Sequence, residues 1–398
     1  MAQPGSALAW GARGRRFKSS RSDHSPKGPQ AYISDIFFMT PKIVFILPSL
    51  TAGGAERVLI TLMNGIDKTR FSPELLCVRA GGELQDILDT DIPYHTLNRY
   101  SVFRSVFALY QKLKELKPDV IVSTMAHMNF AVMVLKPFFP KTKFIIREAI
   151  TPSFLLEKYK YRAFVIQSLY KHLYPKADMV LSPAQIILDE FEHVLGMQGN
   201  NFRLLPNSVD VEAMRSECCF ERKADPCVKF IAAGRLHYQK GYDRLIEGFA
   251  RRTMPFEWSL TIYGEGEERA SLEALIALHG LEDNIFMPGL VSKPHQYFVK
   301  GDCFLLPSRY EGLPNVALEA LACGLPVIAT ESSGGIKQIE QDADAGIVKI
   351  ADTMDEFFIH LAAFQKRESD SESRSFLPDP YKREHAIASF EQILTTMI

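Results

Sequence analysis

The sequence predicts an α/β protein of two Rossmann-like domains, each built on a parallel sheet, facing one another across a cleft. Its 398 residues exceed one ordinary core and suit two domains, each large enough to bury most of its apolar surface. Short apolar runs alternate with amphipathic stretches of helical length, the mark of a parallel sheet covered by helices on both faces. That alternation stops in a polar, irregular interval and then starts again, so two sheets are expected.

The first run of the pattern is the strand KIVFIL at Lys42–Leu47, a helical pattern from Ala55 to Ile66, and the strands PELLCVR, DVIVS, KFIIRE and DMVLS. The second is VKFIAAG, LTIYG, NIFMPG, CFLLPS and PVIAT. The spacing predicts a first domain over 39–206, a linker over 207–226 and a second domain over 227–375. After a Ser/Asp/Glu/Pro-rich loop at 368–380, a helix within 376–398 is expected to cross back toward the first domain.

Residues 1–38 belong to neither pattern. The opening carries Arg13, Arg15, Arg16, Lys18, Arg21 and Lys27 against Asp23, among Gly, Ser and Pro, and is expected to be disordered. Its text AQPGSALAWGARGRRFKSSRSDH resembles a bacterial tRNA gene read as protein, which makes Met39, just before Pro41 and the first strand, the expected start. A genuine basic tail is the alternative.

Lys+Arg 46 against Asp+Glu 47 leaves a formal net charge of -1, which argues against a chain built to grip nucleic acid. The cysteines (Cys77, Cys218, Cys219, Cys227, Cys303 and Cys323) form no C-x-x-C pair, and no His stands at zinc-ligand spacing. No metal site and no disulfide framework is expected, and a cytoplasmic setting is. No apolar run reaches the roughly 18–20 residues of a spanning helix, so membrane contact is expected to be peripheral.

The chemistry is densest in CFLLPSRYEGLPNVALEALACGLPVIAT, Cys303–Thr330, which reads strand, loop, helix, turn, strand. Pro314 lies where a first helical turn tolerates it, and Gly324 and Pro326 lie where a helix ends. The loop Gly312, Leu313, Pro314 and Asn315 thus leads into a helix N-terminus directly after a strand, with unpaired N–H groups that suit a diphosphate or a sugar hydroxyl. Glu311 precedes that end and Glu319 lies within the helix; carboxylates accept vicinal hydroxyls well. In FIAAGRLHYQKGYDRLIEGFA, Arg235 and Lys240 follow a strand and precede a helix, placed to neutralise a departing diphosphate.

Other segments repeat the strand-then-loop pattern. Gly264 in LTIYGEGEER serves either a nucleotide base or merely a tight turn. Gly334 and Gly335 in SSGGIKQI are candidate backbone donors. Gly53 and Gly54, followed by Glu56 and Arg57, join strand to helix in the first domain, without the G-x-G-x-x-G of a dinucleotide fold and without a Walker loop. His127 reads either as a ligand contact or as a packed structural histidine. Arg147 and Glu148 end the strand KFIIRE and are acceptor-side candidates. In RYSVFRSVFALYQKLKELK, Phe103, Val106, Phe107, Tyr110 and Leu113 form a helical stripe flanked by Arg104, Lys112, Lys114 and Lys117, and a second basic, aromatic stretch spans Phe154 to Lys176. Such stretches either lie on an anionic bilayer or pack on the sheet.

Residues Ser308–Thr330 resemble, over their whole length, the Glu-x7-Glu motif of family-4 retaining glycosyltransferases of the GT-B fold. Gly234, Arg235 and Lys240 are similar to that family's diphosphate clamp, and GGAE-R at Gly53–Arg57 to its glycine loop. The resemblance implies that Glu311 contacts the transferred sugar and Glu319 the nucleotide ribose. It further implies a nucleotide diphosphate sugar, UDP first, as co-substrate, with no cofactor and no metal, since no D-x-D pair is placed to hold Mg2+. The acceptor it implies is a glycan on a polyprenyl diphosphate or lipopolysaccharide, with N-acetylgalactosamine or a related hexosamine transferred at the inner face of a bacterial plasma membrane. Two other classes fit the same architecture: a sugar-nucleotide epimerase and a non-catalytic nucleotide-sugar-binding subunit.

Overall fold

The computed structural model describes residues 40–51, 53–197, 199–220, 225–366 and 374–398. The expected disordered opening, the proposed start at Met39 and part of the loop 368–380 lie outside the described residues. Strands β1 (Lys42–Leu47), β2 (Ser72–Cys77), β3 (Tyr94–Thr96), β4 (Val120–Thr124), β5 (Lys143–Arg147), β6 (Met179–Ser182) and β7 (Phe202–Leu204) form one sheet, ordered β3-β2-β1-β4-β5-β6-β7. Strands β8 (Val228–Ala233), β9 (Trp258–Tyr263), β10 (Ile285–Gly289), β11 (Cys303–Leu306), β12 (Val327–Thr330) and β13 (Val348–Ala351) form the other, ordered β10-β9-β8-β11-β12-β13. All pairings are parallel. The predicted fold class is the observed one.

Helices cover both faces, which is why strands such as Val120–Thr124 and Cys303–Leu306 are buried throughout rather than alternating. In the first lobe the helices are α1 (Gly54–Gly65), α2 (Val106–Leu116), α3 (Ala126–Met133), α4 (Pro152–Lys158), α5 (Ala163–Leu173) and α6 (Gln185–His193), with α7 (Val211–Ser216) in the connection. In the second they are α8 (Tyr242–Ala250), α9 (Arg269–His279), α10 (His295–Phe298), α11 (Asn315–Ala322), α12 (Ile336–Asp342) and α13 (Met354–Ala362), and α14 (Arg383–Met397) ends the chain. Helix α14 packs on α1, with Phe390 6.1 Å from Phe45 between ring centroids. The chain reaches it by passing the connection, where Val209 N–H donates to Tyr381 O (2.9 Å) and Arg383 N–H to Val209 O (3.1 Å).

Two sequence readings change here. The apolar-run pattern does not single out β3, β7 and β13, which are short sheet edges: β3 is half-buried, β7 mostly exposed, and β13 buried only at Val348 and Ala351. The stripe from Phe103 to Leu113 is not one face. The buried seam of α2 is Leu109, Leu113 and Leu116, while Phe103 and Phe107 are 60% and 69% exposed. Residues 103–105 form a 3-10 turn that breaks the helical period, and Phe107, two residues before Leu109, points away from the seam.

Candidate functional site

In each sheet the strand order reverses beside the first strand of the lobe: between β1 and β4, and between β8 and β11. Crossovers leave to opposite faces there, opening a crevice outside the carboxyl ends of the strands, where open α/β sheets take ligands. The loops after those four strands hold Gly53–Arg57, His127, Arg235–Lys240 and Glu311–Asn315. Two shallow recesses, of about 220 and 270 Å3, lie elsewhere, beside Glu273 and Met287 and beside Pro41 and Ile398. Neither gathers convergent chemistry.

Glu311 is held from three sides in the second lobe. Its Oε1 accepts from Lys240 Nζ at 2.6 Å and from Ser308 Oγ at 2.9 Å, and its Oε2 from Gln239 Nε2 at 3.3 Å. Gln239 also donates to Tyr310 O (3.0 Å), and Arg309 braces the loop against α8 by a two-point contact with Asp243 (2.8 and 2.6 Å). Arg235 is exposed and makes no side-chain hydrogen bond or ion pair among the described residues, so it is free to meet a ligand.

Pro314 sits at the N-cap of α11 and Asn315 opens the helix; Leu313 is buried. Glu319 lies one turn in. Burial raises its carboxyl pKa, opposed by the charges of Arg57 and Lys240. Arg57 belongs to the other lobe, so charged groups of both lobes converge on this helix end.

The lobes touch beside it. Phe154 lies on Tyr310, ring centroids 4.5 Å apart, and Gln185 N–H donates to Gln338 Oε1 at 3.1 Å. A Cβ at Gly312 would come within 2.4 Å of Ala149 O, so glycine there lets the two backbones meet.

In the first lobe, Gly53 N–H is taken by Thr51 O (2.7 Å), and Gly54 starts α1 opposite Asn315. Glu56 is buried and folded back on that helix end, its Oε2 2.1 Å from where a Cβ of Gly53 would stand. Burial raises its pKa. The carboxylate thus lies against the N-terminal turn of α1, where the helix dipole favours a negative charge. His127 lies in the first turn of α3, partly buried, its pKa lowered by burial, with no side-chain hydrogen bond among the described residues. Before it, Met125 holds φ +72°, a conformation side chains rarely adopt, with its N–H on Arg147 O at 3.2 Å.

Arg147 and Glu148 are 1% and 0% exposed, so neither faces an acceptor as the sequence reading expects. Arg147 ends β5 and Glu148 follows it, and α3 with the segment from α5 to Tyr174 closes over both. Glu148 accepts from Tyr174 Oη (2.5 Å) and Tyr170 Oη (3.2 Å), and burial pushes its pKa up to about 7. One glycine expectation also changes, at Gly335. Gly335 N–H is engaged by Gly312 O (2.7 Å), so it is no open donor, and Gly334, at φ +67°, lies where a Cβ would meet Glu311 O at 2.3 Å. Gly264 has φ +148°, and a Cβ there would stand 1.9 Å from Gly234 O, so the tight-turn reading accounts for it. Gln239, Ser308 and Asn207 escape sequence reasoning. The only signal for the first two is their closeness in sequence to Lys240 and Glu311.

Comparison with known proteins adds the family. Residues 52–213 match the description Glycosyltransferase Family 4 and residues 221–375 match Glycosyl transferases group 1. The chain is a GT-B glycosyltransferase of group 1/family 4. It is 28% identical over 332 residues, 80% of this chain and 88% of the relative, to a Campylobacter jejuni protein. That protein is named N-acetylgalactosamine-N,N'-diacetylbacillosaminyl-diphospho-undecaprenol 4-alpha-N-acetylgalactosaminyltransferase. It is 24% identical over 309 residues, 76% of this chain and 84% of the relative, to the amylovoran biosynthesis glycosyltransferase AmsD of Erwinia amylovora. Among solved structures, Anabaena HepE with UDP and glucose matches at TM-score 0.70 and 17% identity, over 89% of this chain and 100% of that one. The lipopolysaccharide outer core galactosyltransferase WaaB matches at TM-score 0.67 and 19% identity, over 90% and 100%. This glycosyltransferase thus shares its two-sheet frame with proteins of low sequence identity. Among its described residues no helix is long and apolar enough to cross a membrane, and no three His, Cys, Asp or Glu side chains converge as metal ligands.

Proposed function

We propose that this glycosyltransferase moves a hexose or N-acetylhexosamine from a nucleotide diphosphate sugar, UDP first, to a lipid-linked glycan, with retention and without a metal ion. The observation that carries the reading is the clamp on Glu311. Lys240, Ser308 and Gln239 present its carboxylate beside the N-terminus of α11, where N–H groups favour a diphosphate. Lys240 and the unpaired Arg235 would stabilise the leaving diphosphate. Glu311 would meet the transferred sugar, Glu319 the ribose, and His127, which lacks the partner a packed histidine would have, the donor from the opposite lobe. The leaving phosphate, on the same face as the acceptor hydroxyl, would take its proton.

The names of two Campylobacter jejuni relatives, both N-acetylgalactosaminyltransferases on undecaprenol-linked glycans, support the acceptor class. So does the elbow between α4 and α5. Tyr161 is fully exposed and Phe164 84% exposed, among Lys158, Lys160 and Arg162. Helix α4 leads from Phe154, whose ring lies tilted against Tyr310 beside Glu311, to this elbow. An anionic membrane met there would bring a lipid diphosphate within one short helix of the cleft. The test is transfer from UDP-N-acetylgalactosamine and UDP-N-acetylglucosamine to undecaprenyl-diphosphate glycans in anionic vesicles, with and without EDTA. The expected product is α-linked by proton NMR in both conditions; a β-linked product, or an absolute need for Mg2+ or Mn2+, overturns the mechanism.

A further inference from the structure

One polar chain beneath the cleft has no place in that reading, and what it implies rests on the donor reading above. Arg147, at the end of β5, is 1% exposed. Its Nε and Nη1 are unpartnered among the described residues, and its Nη2 donates to Asn207 Oδ1. A guanidinium only donates. The Asn207 atom facing it must therefore be the carbonyl oxygen, and the Asn207 amide nitrogen must face the other way. There it donates to Asn315 Oδ1 across the cleft. That contact in turn leaves Asn315 Nδ2 on the ligand side, 2.9 Å from where a Cβ of Gly54 would stand, between the N-termini of α1 and α11. The arginine alone fixes the polarity of the whole chain, because each amide answers the group before it.

We propose that Arg147 is a positioning residue which, through Asn207, holds Asn315 with its N–H toward the donor diphosphate. A reversed Asn315 would turn a carbonyl oxygen toward the same anion. Asn207 belongs to the connection between lobes, while Arg147 lies in the first lobe and Asn315 in the second, so the relay is complete only when the lobes are closed. Donor binding and closure are thereby one event.

Asn207→Asp isolates the polarity. The carboxylate still accepts from Arg147, and the buried guanidinium gains a counter-charge, but Asn315 must now turn its N–H inward to meet an acceptor. The measurement is calorimetric titration of UDP and UDP-N-acetylgalactosamine into the wild type, Asn207→Asp, Asn315→Ala and the double variant, with thermal unfolding of each. The expected result is about 10- to 100-fold weaker binding in Asn207→Asp, the loss of a hydrogen bond to a charged group, at an unchanged or raised midpoint. In the Asn315→Ala background the same change is expected to have no further effect. If the wild type binds no nucleotide diphosphate, the donor reading falls and this inference with it. If the wild type binds and Asn207→Asp binds equally well, or its loss persists unchanged in the Asn315→Ala background, the inference alone is wrong.

Discussion

The two lobes place their polar side chains in different layers. In the second lobe they gather at the cleft and hold one another: Glu311 on Lys240, Ser308 and Gln239, Arg309 on Asp243. In the first the largest polar network sinks beneath it: Arg147 and Glu148 are closed off, Glu148 against Tyr170 and Tyr174. A surface network can trade partners with a ligand, whereas a buried one sets geometry. Substitutions in the second lobe should accordingly change turnover, and those in the first should change stability or binding.

The largest effect belongs to Lys240→Ala. On the proposed mechanism it removes a charge that would strengthen its hold as the diphosphate leaves, and it strips Glu311 of its counter-ion, so kcat is expected to fall about 100-fold or more with little change in KM. Arg235→Ala, which has no internal partner to abandon, is expected to lose less. Next comes a split within the second lobe. On the proposed donor placement Glu311→Gln is expected to lower kcat, because the sugar it would meet becomes more cationic in the transition state, and Glu319→Gln to raise donor KM, because a ribose contact would hardly change during reaction. Steady-state kinetics on folded variants checks all four; equal kcat losses in Glu311→Gln and Glu319→Gln would remove the difference in role.

The buried network of the first lobe makes a thermodynamic prediction. Glu148 has its pKa raised to about 7 by burial, above the roughly 4.3 of an exposed glutamate. The folded state therefore binds this proton more tightly than the unfolded one, and the stability it contributes is full below about pH 4.3 and is lost as pH rises through about 7. Glu148→Gln lacks that dependence, so relative to it the wild type is expected to lose on the order of 3 kcal/mol over that window. Denaturant titrations at several pH values check this, and parallel curves for both proteins would show that the carboxyl titrates normally. The smallest effect lies at the rim. Tyr161→Ser with Phe164→Ser is expected to weaken binding to anionic vesicles several-fold in a flotation assay; unchanged flotation returns the elbow to ordinary surface.

How much of this is legible in sequence follows the same division. Residues 303–330 encode their part of the site in one stretch, strand, loop, proline, helix and glycine, so the position of Glu311, Asn315 and Glu319 can be read directly. Lys240 can be placed near them, but its partner cannot, because that depends on how two loops from different strands meet. The first lobe is harder. The end of an apolar strand does not say whether Arg147 and Glu148 turn to the cleft or to the core, and only the packing of α3 and α5 decides it. Asn207 reads as the first residue of an irregular link, with nothing local to mark it as a bridge. Gly335 looks like an open donor until Gly312, far away in sequence, is seen to take its N–H.

On the proposed function the crevices of the two lobes form one donor site. Hydrogen exchange of backbone amides, measured with and without saturating UDP-sugar, tests it most directly. The account predicts slowed exchange in three separate segments at once: after β1 around Gly54–Arg57, after β8 around Arg235–Lys240, and after β11 from Glu311 into α11. A nucleotide sugar that binds while exchange in the β8 and β11 loops stays unchanged, or that protects only the outer recess beside Glu273 and Met287, would contradict it.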